Sequence, residues 1–344
     1  MASIFGEENA SKIKGEKMGN EIKTRNVGND NLWKHLGDIG AENVSILKEA
    51  FEKEIRKTRL NILIVGGTGV GKSTTIKALF KHCNPEKEMD ISIKSGGSPV
   101  TMEVKEYKVS DNITIYDSPG LGDGQKDEEH KRKIQNILTA EDDNGDALID
   151  LALILIDASA ERDLGSVYET IKVVDQVLKT EDRQERILIA LNKCDKAGSH
   201  PEAKFDYEKA EPNNFLKLVL GKKVAEIQYR ILETTGLKTE PIYYSAGFYD
   251  EKENKHYPSY NIDKLFYYIQ KGLPPRKVAV LNQSATEGVY KGEYGSKNES
   301  SFWGSIAEVI KDVASAVVPM LVPKVVSGVI GFIGNLAGKI FLKH

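Results

Sequence analysis

A glycine-rich loop constrains this chain more than any other feature. Leu60-Asn61-Ile62-Leu63-Ile64-Val65 is a short apolar run, and Gly66-Gly67-Thr68-Gly69-Val70-Gly71-Lys72-Ser73-Thr74 follows it directly. The run reads as a buried strand, and the spacing over 73–81 reads as a helix. A strand that turns through GxxxxGK[ST] into a helix aims several backbone N–H groups at one point, beside the positive end of the helix. Such a loop cradles phosphate. Gly66, Gly67, Thr68, Gly69, Val70 and Gly71 would then wrap the phosphates, with Lys72 reaching the terminal ones. Ser73 would put its hydroxyl on Mg²⁺, and Thr74 completes the set on the first helical turn. The bland alternative, a glycine-rich turn before a helix, loses weight because strand and helix are both in place.

The rest of the middle of the chain repeats the alternation of strand and helix. Strands are expected at 102–109, 113–117, 151–157, 186–191 and 241–244. Helical patterns lie at 127–139, 166–179, 214–234 and 262–271. That order predicts an α/β fold with a mainly parallel sheet covered on both faces. Val109-Ser110-Asp111-Asn112-Ile113 reads as a tight hairpin, so one edge strand should be antiparallel. Residues 1–31 show no sustained period and are expected to be loosely ordered. Val44, Leu47, Phe51 and Ile55 then mark an amphipathic helix over 41–59. Pro274-Pro275 is taken as the close of the central unit, which gives three parts: 1–58 as lead and helix, 59–273 as nucleotide-binding domain, and 274–344 as linker and C-terminal helices.

Four further motifs fall in order along this frame. Asp117-Ser118-Pro119-Gly120 ends a strand. Asp117 would hold Mg²⁺ through a water, and the Gly120 N–H would meet the γ-phosphate. Alone the tetrapeptide is also an ordinary turn. Asn192-Lys193-Cys194-Asp195 follows the strand expected at 186–191. A carboxylate at Asp195 accepts from N1–H and the 2-amino group of guanine, donors that adenine lacks. The Lys193 stem would lie along the base, and Asn192 would tie its loop to the glycine loop. Ser245-Ala246 would offer a backbone N–H to guanine O6, a weak signal by itself. Thr101 would give Mg²⁺ a second hydroxyl, against the bland reading of a surface threonine at a strand start. Lys72, Thr101 and Gly120 form the expected catalytic set, Ser73, Thr101 and Asp117 the metal set, and GTP/GDP with Mg²⁺ the ligands.

The motif order and the text DSPGLGDG, GDALIDLALILIDAS, RDLGSVYE and PIYYSAGFYD resemble the TRAFAC-class, Era-like P-loop GTPases, and in detail the YeeP/YfjP-type predicted GTPases of bacteria. The resemblance covers about 61–273 and implies a Ras-like G domain, a mainly parallel sheet that binds GTP with Mg²⁺ and hydrolyses it as a molecular switch. Two positions depart from the pattern. Leu121 stands where Ras-like proteins carry the glutamine that orients the attacking water, so hydrolysis should be slow. Gly69 stands where potassium-activated relatives carry asparagine. No general base is assigned, and Arg132 and Arg162 read as solvated side chains.

Composition narrows the partners. A net charge of -3 lacks the strong positive field of a non-specific nucleic-acid binder, so none is expected. Two cysteines, Cys83 and Cys194, make neither a disulfide framework nor a metal pair. The first twenty residues hold no apolar signal-peptide core, and the expected location is the cytoplasm. From Phe302 onward the pattern changes. Phe302, Ile306, Val309, Ile310, Val313 and Val317 share one helical face, and Pro319 and Pro323 interrupt it. Val325, Val326, Val329, Ile330, Phe332, Ile333, Leu336 and Ile340 form a broad apolar face opposite Ser327, Gly328, Gly331, Gly334, Asn335 and Gly338. Three readings stay open for 302–344: docking on the chain's own domain, contact with the inner face of a membrane, or pairing with a second copy through the glycine side. A dimerising GTP-binding scaffold with little turnover is the alternative to the switch.

Overall fold

The structure is a computed structural model, and it describes residues 30–80, 104–118, 127–142, 144–160, 165–177 and 183–341. Two helices lead the described chain, α1 (Asp30–His35) and α2 (Ala41–Lys57). Next come β1 (Leu60–Gly66), α3 (Lys72–Leu79), β2 (Lys105–Ser110), β3 (Ile113–Asp117) and α4 (Asp127–Thr139). The chain continues through β4 (Leu151–Asp157), α5 (Gly165–Val177) and β5 (Ile187–Asn192). A short hairpin of β6 (Phe205–Asp206) and β7 (Glu211–Pro212) precedes α6 (Asn214–Thr235). After β8 (Ile242–Tyr243), a second hairpin, β9 (Phe248–Asp250) and β10 (Lys255–Tyr257), leads to α7 (Ile262–Lys271). Three helices follow: α8 (Pro275–Gln283), α9 (Gly295–Val317) and α10 (Val322–Phe341).

The main sheet has six strands in the order β2-β3-β1-β4-β5-β8. The pairs among β3, β1, β4, β5 and β8 are parallel, and β2 joins the edge antiparallel through the expected hairpin, with a register shift between Lys108 and Ser110. This is the mainly parallel α/β arrangement that the alternation implied, in the Ras-like form that the resemblance implied. Because side chains alternate across a strand, β1 feeds two cores. Leu60, Ile62 and Ile64 face one, while Leu63 and Val65 face the other beneath α4, α5 and α6. Both faces being covered explains why β4 and β5 read as unbroken apolar runs.

Several elements differ from expectation. Residues 30–35 form a helix, although the stretch expected to be loose ran to 31; its Leu32 and Trp33 are buried, and so is Leu36 just after it. Pro275 does not end the central unit; it starts α8, at the position where a fixed φ and a missing N–H cost nothing. The last helix pair shares a core with β1: Phe302, Trp303, Ile306, Val309 and Ile310 pack in one cluster with Ile62 and Ile64. α9 lies against α2, α7 and α8, and α10 lies on α9 and α1. Trp303 meets Phe332 edge-on at 5.3 Å, and His35 meets Phe332 at 5.1 Å. Gly328, expected on the open small-residue side, is packed: a Cβ there would stand 2.7 Å from a Leu36 methyl. Val317 and Ile330, expected on apolar faces, are exposed to 38% and 62%. No described helix is long and apolar enough to cross a membrane.

Thr286 fixes the join between these helices and α3. Its N–H donates to Leu79 O at 2.9 Å and its hydroxyl to Ala78 O at 2.7 Å. Those carbonyls belong to the last turn of the helix that follows the glycine loop, where no intrahelical donor remains.

Candidate functional site

All the described motifs meet at one edge of the sheet, the carboxyl ends of the parallel strands, where ligands of open α/β sheets bind. Gly66 ends β1, Asp117 ends β3, Asp157 ends β4, Asn192 ends β5, and Ser245 lies just past β8.

The glycine loop is a close-fitting cradle. Gly69 and Gly71 have φ of 75° and 96°, in the left-handed region that side chains avoid. A Cβ on Gly66 would come within 2.8 Å of Leu155 O, and one on Gly71 would collide with the Asn192 amide nitrogen. Lys72 Nζ donates to Gly66 O at 3.0 Å and stands 3.6 Å from Asp117 Oδ1. Among the described residues that buried oxygen has no hydrogen-bond partner, while Oδ2 accepts from the Tyr107 hydroxyl at 3.5 Å. Burial raises the Asp117 carboxyl above its ordinary range, against the pull of Lys72 and Lys105. The buried Asp117 oxygen and the Ser73 hydroxyl are hard oxygens suited to Mg²⁺, and the Lys72 ammonium in the cradle suits phosphate. Thr101 and Gly120, with Leu121 and Arg162, lie outside the described residues.

Asn192 links the two halves of the site. Its amide donates to Val70 O at 2.8 Å and its carbonyl accepts from the Ala246 N–H at 3.1 Å. One buried side chain thus holds the glycine loop and the Ser245-Ala246 loop at a fixed spacing. The Ser245 N–H, one candidate for a ligand carbonyl, is committed instead to Tyr260 O at 3.0 Å, because the chain past β8 makes a bridge there. Lys193 adopts φ 61° and ψ 35°, a left-handed conformation that costs a lysine about 1 kcal/mol. From that turn Lys193 Nζ donates to Asp157 Oδ2 at 2.7 Å.

Asp157 and Tyr207 are site residues that the motifs did not reveal. Burial works against the Asp157 carboxylate, but Lys193, the Ser159 hydroxyl and the Ser159 N–H together hold it below its ordinary range. The only available signal was its place at the end of the strand beside Asn192, with which it is in register. Tyr207 donates to Asp195 Oδ2 at 3.3 Å from the β6–β7 hairpin, and nothing in its sequence neighbourhood marks it. Among the described residues, no cluster of His, Cys, Asp and Glu could hold a metal by itself, so a cation at Asp117 needs a ligand's oxygens as well.

Residues 61–193 match the family model described as 50S ribosome-binding GTPase. Interferon-gamma-inducible GTPase 10 of Mus musculus is 39% identical over 102 residues, 29% of this chain and 23% of that protein. Septin-9 of Homo sapiens is 34% identical over 90 residues, 23% of this chain and 15% of its own. The chain thus spans less than a quarter of the length of these curated relatives. Among solved structures, a probable GTP-binding protein engB is 20% identical, covering 62% of this chain and 97% of its own at a TM-score of 0.36. Toc33 from Arabidopsis thaliana, in complex with Mg²⁺ and GMPPNP, is 16% identical, covering 65% and 91% at a TM-score of 0.38.

Proposed function

From the premise that this chain contains a P-loop GTPase domain, we propose that it binds GTP with Mg²⁺, hydrolyses it slowly, and uses the two nucleotide states as a switch. The observation that carries this reading is the double hydrogen bond of Asn192 to Val70 O and the Ala246 N–H. It sets the phosphate loop and the base-reading Asp195 at a spacing suited to one nucleotide. Lys72 and the loop N–H groups hold the β- and γ-phosphates, and Asp195 selects guanine. Ser73 and Asp117, joined by Thr101, are the residues that would hold Mg²⁺. When bound, that ion neutralises developing charge on the phosphate oxygens. Gly120 and Thr101 sense the γ-phosphate. The finer resemblance to the YeeP/YfjP-type GTPases belongs to this reading too.

The test is GTP turnover by the purified chain with excess ATP present and the protein concentration raised stepwise. Slow release of phosphate that ATP does not suppress supports the reading. Absence of GTP binding by folded protein sinks it. Leu121 favours a second reading, in which the chain pairs with a copy and holds GTP with little turnover. A rate per molecule that climbs with concentration supports pairing across the nucleotide, and a flat rate removes it.

We also propose that the last helix pair touches a membrane surface. At the turn between α9 and α10 Met320 is 94% exposed; Val317 at the end of α9 and Ile330 further along α10 are exposed as well. Lys324 on the first turn of α10 is also exposed, and apolar groups with a cation on one helix pair suit an anionic interface. The full chain should float with vesicles containing anionic lipid, and Met320→Asp should remain in the dense fraction. Failure of the unaltered chain to float removes this part.

A further inference from the structure

The chain between Asp195 and α6 holds the β6–β7 hairpin, an insertion that closes no part of the main sheet. It carries Tyr207, whose ring is enclosed by Phe205 at 5.1 Å, Tyr257 at 5.1 Å and Phe248 at 5.8 Å. The last two rings come from the β9–β10 hairpin, and an ion pair between Glu208 and Lys255 closes the two hairpins on each other. Lys196, next to Asp195, lies over the Phe248 ring at 5.0 Å. Three edge-on or tilted rings leave Tyr207 little freedom, and its hydroxyl points at Asp195 Oδ2 at 3.3 Å. Burial, and next the Asp195 charge, push this hydroxyl up to about 12, so it is a donor throughout the physiological range.

From this we propose that Tyr207 is a positioning residue for base selection: it holds the Asp195 carboxylate so that both oxygens face the edge of the purine. The inference rests on Asp195 as the guanine acceptor. A carboxylate that meets N1–H and the 2-amino group together must keep one rotation about its last bond. Half-buried, and among the described residues hydrogen-bonded through its side chain to Tyr207 alone, Asp195 keeps that rotation through this contact. The two hairpins therefore form an outer wall whose role is to aim one O–H.

The distinguishing ligand is ITP, which lacks the 2-amino group. A misaimed carboxylate loses one of two hydrogen bonds to guanine, whereas hypoxanthine offers only one. Tyr207→Phe keeps the ring and removes the hydroxyl. We expect it to weaken GTP binding about fivefold, the scale of one hydrogen bond, while ITP binding changes less than twofold, so the GTP-over-ITP preference narrows. Binding is read by competition against a fluorescent GDP analogue on the full chain, with thermal unfolding recorded beside it. Equal weakening of GTP and ITP would assign Tyr207 a purely structural role and overturn the inference. So would an unchanged GTP affinity. Asp195→Ala separates the two levels: if it weakens GTP binding strongly while Tyr207→Phe does nothing, only the positioning role falls. If Asp195→Ala also has no effect, the guanine reading of Asp195 falls with it.

Discussion

Lys72→Ala should remove GTP turnover, with a loss of about a thousandfold or more in the single-turnover rate, measured as phosphate release beside a circular-dichroism check of folding. The structure explains why one amine carries so much. Lys72 Nζ sits at the centre of the cradle, on Gly66 O at 3.0 Å and near Asp117 Oδ1 at 3.6 Å. With a nucleotide in place, the proposed reading puts the same amine against the phosphate oxygens where charge builds up. Removing it also leaves the Asp117 carboxylate, already disfavoured by burial, without its nearest counter-charge. Affinity for the triphosphate should therefore fall along with the rate. A variant that hydrolyses GTP at an unchanged rate would show that Lys72 is not at the phosphates.

Phe302→Ala should cost about 3–5 kcal/mol of unfolding free energy, read from urea denaturation, and lower nucleotide binding in proportion to the unfolded fraction. Phe302 is fully buried in α9 and meets Trp303 at 4.9 Å, within the cluster that contains Ile62 and Ile64 of β1. Domains are stable by only about 5–15 kcal/mol, so one such cavity takes a large share. Ile330→Ala is the control. Its side chain is 62% exposed on α10 and should change stability by less than about 0.5 kcal/mol. Similar small effects for both would mean that α9 is a detachable appendage.

The contrast between those two residues shows where the sequence was legible. Apolar runs bounded by functional loops were readable, because a strand buried on both faces has no other composition: 151–156 is Leu-Ala-Leu-Ile-Leu-Ile. The cradle was readable because few backbones need that many glycines beside a lysine. A helical wheel, by contrast, gives an apolar arc wider than the neighbour that covers it. Val317 and Ile330 lay on the arc and stay in solvent, while Gly328 lay off it and packs against Leu36. The six residues of α1 are too few to show a period, and its partners lie on other elements: Phe51 of α2 against Trp33, and α10, some 300 residues away, against Leu36 and His35. The β6–β7 and β9–β10 hairpins have strands of two and three residues, below the length at which alternation can be seen. Tyr207 and Asp157 were hidden for a related reason. Each acts on a motif residue from a different segment, and a motif records only its own segment.

The contact of α1 with α10 has a consequence for biosynthesis. Leu36 is covered by Gly328 and His35 by Phe332, residues translated almost three hundred positions later. A ribosome adding roughly 5–20 residues per second leaves those early side chains uncovered for about fifteen seconds to a minute. The sheet can assemble during that interval, since each parallel strand pairs with a neighbour already made. The outer helical layer cannot, because its two halves bracket the whole sheet in chain order. Its closure waits for α10, and the side chain of Leu36 marks the surface that a holding chaperone would meet until then.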